Sequence, residues 1–300
     1  MEYFGLGTGE ILGLSAALSW GVGAFVYGLI NKKFSSFLIN LLTAVPALIF
    51  QLLIIFFFGD FNNLYITDSK LLVIIISTTI ITFVVAVTFY IESIKLSGVS
   101  IAVPVAATMP LYTLLLAVIF LGESITPFLI IGTVAVVIGI SLLSIQKNEN
   151  KSIRKDVKKG IIYATISAIG WSTSGVLLTV LLIEIDALYI NTLRTGLQIL
   201  FLAAIILVVQ KDAFRSILQI KTSDIANVSV GGVLNKSVGV IFFLSSIQLI
   251  GVARATAIIS IYPLFSFILA IVFLKEKFTY FKLLGTMSIV LGVILVTVYV

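Results

Sequence analysis

Ten stretches of this chain are each as long and as apolar as a helical crossing of a hydrocarbon layer requires, which is about 20 residues. They are residues 9–30, 36–58, 70–94, 98–121, 126–145, 159–182, 187–209, 224–249, 253–274 and 279–299. So many apolar runs leave little of a 300-residue chain for a water-facing surface. Composition agrees: 60% of residues are hydrophobic and 11% are charged, against about 25% charged in a soluble domain. No soluble core can hide this much apolar surface, so the solvent is lipid. In lipid the backbone must satisfy its own hydrogen bonds, which leaves helices or a closed barrel. Runs such as Leu71–Ile76 and Ile130–Ile140 lack the period-2 polar alternation of barrel strands. The fold class is therefore an all-α integral membrane protein with ten transmembrane helices. A soluble enzyme, a nucleic-acid-binding protein and a disordered chain are excluded.

The loops alternate sides if all ten spans cross. Loops after the odd-numbered spans carry Lys32, Lys33, Lys95, Lys147, Lys151, Arg154, Lys155, Lys158, Lys159, Lys211, Arg215, Lys221, Lys275, Lys277 and Lys282. The other side carries Lys70 and Arg254. Fifteen against two is a strong positive-inside bias. It places the polar central stretch in the cytoplasm and both termini outside, in a multi-pass cell (plasma) membrane protein. The net charge of +6 is then a matter of cytoplasmic loops and anionic lipid rather than of nucleic acid.

The chain also resembles itself. From Gly98 to Leu142, a shift of 153 residues gives 17 identities in 45 positions. They include Pro110/Pro263, Glu123/Glu276, Thr126/Thr279, Gly132/Gly285 and Gly139/Gly292. Earlier in the chain a shift of 151 brings Trp20 onto Trp171. The charged stretch QKNENKSIRKDVKK separates the halves, giving units 1–146 and 159–300 joined by a linker at 147–158. Five spans per half is an odd number, so the halves are inverted repeats. That plan recurs in secondary transporters, because exchanging the conformations of the halves exchanges the open side.

Two five-span halves, Trp20 and Trp171 in the first span of each, and the endings LGESIT and LKEKFT after the fourth span resemble the drug/metabolite transporter superfamily, and within it the EamA family. The resemblance runs from Gly9 to Thr297. It implies a secondary transporter, an exporter or facilitator of small organic metabolites such as amino acids or other carboxylate-bearing compounds, working by alternating access. The partners expected are a small-molecule substrate and the bilayer, with no nucleic acid, and a monomer or weak homo-oligomer. No cofactor is expected. Cysteine and histidine are both absent, which removes thiolate metal sites, the commonest metal ligand and the commonest general base.

Several residues could carry function. Lys236 lies near the centre of span 8 beside Asn235, where a lone charge is costly. It either contacts an anion in a transport cavity or locks the bundle. In span 7, Asn191, Arg194 and Gln198 share one helical face. Arg194 either clamps a carboxylate through its fork or pairs with Glu184 or Asp186. Their counterparts in the first half are uncharged: Thr43 for Arg194, and Thr82 or Phe83 for Lys236. Trp20 and Trp171 sit deep in their spans, to stack on a substrate or to pack helices. Thr78, Thr82 and Tyr90 in span 3 are weaker candidates.

Glu123 and Glu276 either cap the following helix, form a salt bridge that fixes the turn, or serve as gates. Pro110 and Pro263 bend spans 4 and 9. Spans 1, 3, 6, 7 and 8 are expected to line the cavity, with spans 5 and 10 peripheral. No carboxylate lies at the centre of any span, which disfavours the alternative of a cationic-drug exporter. A membrane-embedded enzyme, the other alternative, lacks the clustered ligands or acids that catalysis needs, so the expectation is that the chain is not an enzyme.

Overall fold

The computed structural model describes residues 7–30, 36–97, 99–143, 156–209, 222–274 and 280–298, and among them the regular structure is helical, with no strand. In the first half α1 is Thr8–Ile30, α2 Ser36–Phe58, α3 Ser69–Thr79, α4 Val87–Ser97, α5 Val99–Ala106, α6 Met109–Leu121 and α7 Pro127–Leu143. In the second half α8 is Val157–Leu181, α9 Ala187–Val209, α10 Thr222–Gly232, α11 Gly239–Ile250, α12 Val252–Ile259, α13 Tyr262–Leu274 and α14 Tyr280–Val298. Five helical stretches are long and apolar enough to cross a membrane: Phe37–Phe58, Ser69–Tyr90, Val157–Leu181, Ala187–Val208 and Asp224–Ile250. Met109–Leu121, Pro127–Leu143, Val252–Phe265 and Leu283–Thr297 are shorter apolar helices.

Spans 4 and 9, expected as bent helices, are each two helices. A proline ring clashes with the carbonyl four residues back. For Pro110 and Pro263 those residues are Ala106 and Ile259, and α5 and α12 end there. Each proline then sits near the start of the next helix, where its missing N–H costs nothing. α6 ends at Gly122, whose φ of 65° is left-handed. The Glu123 amide returns to the Ala117 carbonyl at 3.3 Å, a closure that suits glycine at this position.

Two segments have no counterpart in the sequence reading. Ile80–Ala86 joins α3 to α4, and Val233–Val238 joins α10 to α11, each as a π-helical turn. In such a turn the amides bond five residues back, as Val87 does to Thr82 and Gly239 to Leu234. The two segments begin 153 residues apart, so the repeat extends to the backbone irregularity itself.

Packing follows the same relation. α1 lies against α11, α12 and α13, and α8 lies against α4, α5 and α6, the equivalent set. α2 packs on α9. α7 and α14 form the most extensive pair. A Cβ at Gly132 would stand 2.6 Å from the Gly292 carbonyl oxygen, and one at Gly139 equally close to that of Gly285. The pairing order shows the two helices to be antiparallel, with small residues letting the backbones touch. The common core crosses both halves, with Ala16, Ala17, Ile140, Leu244, Ile258 and Ile289 all buried.

Candidate functional site

The π turn at Val233–Val238 leaves carbonyls without their usual intrahelical partners. Side chains from three other helices take them up. The Trp20 indole donates to the Asn235 carbonyl at 2.9 Å. The Asn191 amide donates to the Lys236 carbonyl at 2.8 Å, and Gln51 Nε2 reaches the same oxygen at 3.3 Å. Gln51 Nε2 also donates to Ser237 Oγ at 2.9 Å and to Thr195 Oγ1 at 3.3 Å.

The Lys236 side chain donates to Asn40 Oδ1 at 2.5 Å. Gln198 Nε2 donates to the same oxygen at 2.9 Å. Arg194 turns to span 3 of the other half and to α8 of its own. One of its terminal nitrogens donates to Thr82 Oγ1 at 3.0 Å, to the Thr78 carbonyl at 3.3 Å and to Ser174 Oγ at 3.4 Å. The alternative of a pairing with Glu184 or Asp186 does not form among the described residues. The Phe83 ring meets both cations, with its centroid 5.4 Å from the Arg194 guanidinium carbon and 5.2 Å from Lys236 Nζ. Arg194 and Lys236 are 3% and 8% exposed. Among the described residues neither forms an ion pair, and every hydrogen-bond acceptor they meet is neutral.

The structure thus brings together Trp20, Asn191, Arg194, Gln198, Asn235 and Lys236. Asn235 contributes its backbone to this network. Trp171 stands apart, with its ring 5.3 Å from that of Tyr90 and no hydrogen bond among the described residues. Its repeat mate Trp20 has Phe243 at 5.5 Å and Tyr262 at 6.2 Å. Spans 1, 3, 6, 7 and 8 all contribute to the cluster, and so does span 2, which sequence reasoning left out. Asn40 and Gln51 of α2 were missed, and so was the bridging position of Phe83. Signals existed for both: the 151-residue shift places Asn40 on Asn191, and Gln51 is a lone amide in ALIFQLLIIFFF.

Glu123 caps a helix, but not the following one. Its two carboxylate oxygens accept from the Val252 and Ala253 amides of α12 at 2.8 and 3.2 Å. The following helix, α7, is capped by Thr126 Oγ1, which accepts from the Leu129 amide at 3.2 Å. Glu276 lies outside the described residues. At the same end of the bundle, Glu10 and Arg254 pair at 2.7 Å. Arg254 also donates to the Val296 and Thr297 carbonyls of α14. A cleft of about 360 Å³ opens there between the α2–α3 and α8–α9 connections, lined by Asn62, Asn63, Asp68, Glu184, Asp186 and Tyr189 among others.

A family model described as the EamA-like transporter family matches the chain twice, at residues 7–145 and 158–298. The chain belongs to that family, a family of membrane transporters, and carries two copies of its repeat. A protein of Archaeoglobus fulgidus named "Uncharacterized transporter" is 23% identical over 285 residues, covering 95% of this chain and 96% of its own. An uncharacterized protein of Methanocaldococcus jannaschii is 33% identical over 141 residues. That match spans 97% of the relative but 46% of this chain, the size of one repeat. A solved crystal structure superposes with a TM-score of 0.78 at 17% identity, covering 99% of this chain and all of the other. It shares the fold.

Proposed function

We propose that this chain is a secondary transporter of small carboxylate-bearing metabolites, an exporter or facilitator working by alternating access across the plasma membrane. Ten crossings, in two five-helix halves at 1–146 and 159–300, place both termini outside and the linker at 147–158 in the cytoplasm. The protein acts as a monomer or weak oligomer. Trp20, Trp171, Asn191, Arg194, Gln198, Asn235 and Lys236 form or flank the substrate site. Glu123, Glu276, Pro110 and Pro263 shape its gates.

The observation that supports this reading is the pair of buried cations with only neutral acceptors. Burying a charge costs several kcal/mol, and about as much is lost when an ion pair is left with one member. A structural pair would carry its own carboxylate. A transport site leaves that place to the cargo.

The test is flux in proteoliposomes, with a panel of amino acids and other carboxylates, with and without a pH gradient. Saturable flux with counterflow is expected for at least one acid. Non-saturating flux without counterflow would mark a channel, and flux of organic cations alone would overturn the charge assignment. Orientation is checked with an Asn148→Cys protein, since the chain has no other cysteine. An impermeant maleimide should label it only after the cells are opened.

A further inference from the structure

Two groups of helices each hold together on their own. α1 packs on α11, α12 and α13, and α8 packs on α4, α5 and α6. The first group is tied internally by the Glu10–Arg254 pair at 2.7 Å and by Ser246 Oγ, which donates to the Gly9 carbonyl at 2.8 Å. The second is tied by Ser172 Oγ of α8, which donates to the Met109 carbonyl of α6 at 2.8 Å. Where the groups meet, the contact is one-sided. α12 lies against α6. Under the 153-residue shift α5 corresponds to α12 and α6 to α13, so a symmetric molecule would pack α5 on α13 at the opposite end. Among the described residues those two helices do not pack to that extent. The groups are joined at the end that holds Glu10, Glu123 and Arg254.

Two side chains bond across the join. Glu123, in the turn after α6, accepts from the Val252 and Ala253 amides of α12 at 2.8 and 3.2 Å. Gln248 Nε2 of α11 donates to the Leu182 carbonyl at the end of α8 at 2.9 Å. The approach of Glu123 depends on Gly251, whose φ is 77° and where a Cβ would stand 2.9 Å from Glu123 Oε1. A carboxylate on the free amides of a helix N-terminus makes a charge-assisted contact. Both contacts lie at the end of the bundle, where water can replace either partner, so they hold the two groups together without fixing them for good. Glu123 also has a nearer helix to cap, α7, and leaves that one to Thr126.

We propose that Glu123 and Gln248 are a latch between the two helix groups, and that its release parts them at this end while α5 closes on α13 at the other. This rests on the transport reading above, on whose topology the latched end faces outward, and it names the contacts that keep that side shut. Inverted repeats can take two conformations in which the halves exchange roles, and the contact of α6 with α12 belongs to one of them.

The experiment measures distances between paired spin labels by pulsed electron resonance, on purified protein in nanodiscs. One pair is Ile183→Cys with Leu249→Cys at the latched end, and the other is Lys158→Cys with Val272→Cys at the opposite end, all exposed positions in a chain without cysteine. Glu123→Ala combined with Gln248→Leu should raise the population with the first pair far apart by about tenfold or more, and should bring the second pair together to the same degree. Gly251→Ala, which keeps both latch side chains, should shift both pairs in the same directions by a smaller factor. Gly251→Ala and the single Gln248→Leu carry the test if the double variant fails to fold. Unmoved distances with a lowered melting temperature would make Glu123 a structural cap and overturn the latch. Separation of the first pair without approach of the second is local fraying and overturns it as well. Flux in proteoliposomes of the unmutated protein judges the transport reading separately. Saturable flux with unmoved labels overturns the latch alone, and absence of saturable flux and counterflow overturns the reading beneath it.

Discussion

The two π turns are the same backbone device filled with different chemistry. At the position of Lys236 in the second half, the first half carries Phe83. At the position of Arg194 it carries Thr43. The helix breaks, the π turns and the glycine contacts all recur under the repeat, whereas the two buried cations do not. Duplication therefore accounts for the scaffold. The two buried cations belong to the second half, and the first half answers them with a ring, Phe83, and with neutral acceptors, Asn40, Thr78 and Thr82.

If the scaffold is truly shared, damage to it should be symmetric. Gly139→Leu and Gly292→Leu each place a Cβ 2.6 Å from a carbonyl oxygen of the facing helix. Both should abolish recovery of monodisperse protein on gel filtration. Gly122→Ala, where no atom lies within reach of a new Cβ, should cost only the left-handed strain of about 1–2 kcal/mol. If one of the two leucine variants folds normally, the halves are not equivalent at this contact.

The charges should behave oppositely. Lys236→Gln is expected to weaken binding of a carboxylate substrate ten- to hundredfold, the worth of a charged contact at about 1.5–3 kcal/mol. Phe83→Leu, its repeat mate, removes cation–π contacts to Lys236 and Arg194 but no charge, and its effect should stay under about tenfold. Titration of both purified variants with the same acid decides this, and equal losses would erase the distinction between the halves.

Smaller effects separate the caps and the tryptophans. Glu123→Ala should lower stability by about 1–2 kcal/mol, because two α12 amides lose their acceptor. Thr126→Ala, which takes the side-chain acceptor from one α7 amide rather than two, should cost less, and thermal melts of the two compare them. Trp20→Phe should cost about 1 kcal/mol more than Trp171→Phe. Only the first removes an indole bond to a π-turn carbonyl. Equal melting temperatures would mean that the Asn235 carbonyl finds another donor.

Much of the scaffold was legible because apolar runs, prolines and paired glycines leave compositional marks. Pro110 and Pro263 announced disturbances in spans 4 and 9, although only the structure shows complete breaks there. The charged and amide residues of α9 and of the π turn after α10 were visible for the same reason, since each is expensive in lipid. Asn40 and Gln51 carry that expense too, and were legible in principle. The π turns were not. Nothing in IITFVVA or VLNKSV distinguishes a five-residue hydrogen-bond step from a four-residue one. Without the π turns, the reach of Trp20, Asn191 and Gln51 to main-chain oxygens has no visible cause. Glu123 was read as a local cap because sequence neighbours suggest themselves first, and its partner 129 residues away could come only from packing.

A π turn holds one residue more than the α turn it replaces, and one residue on an α-helix is about 100° of rotation. Each of the two long helices is thus twisted out of phase with itself at its midpoint. The stripe that α10 offers its neighbours is not the stripe that α11 continues. Below the turn α10 meets both α1 and α2, and above it α11 remains against α1. The first half repeats this, with α3 meeting α8 and α9 and α4 staying with α8. Deleting Val233 would bring the two arms back into phase and wheel the whole of α11 about its axis, carrying Phe243 away from Trp20. The phase slip is what lets one rod serve two different walls.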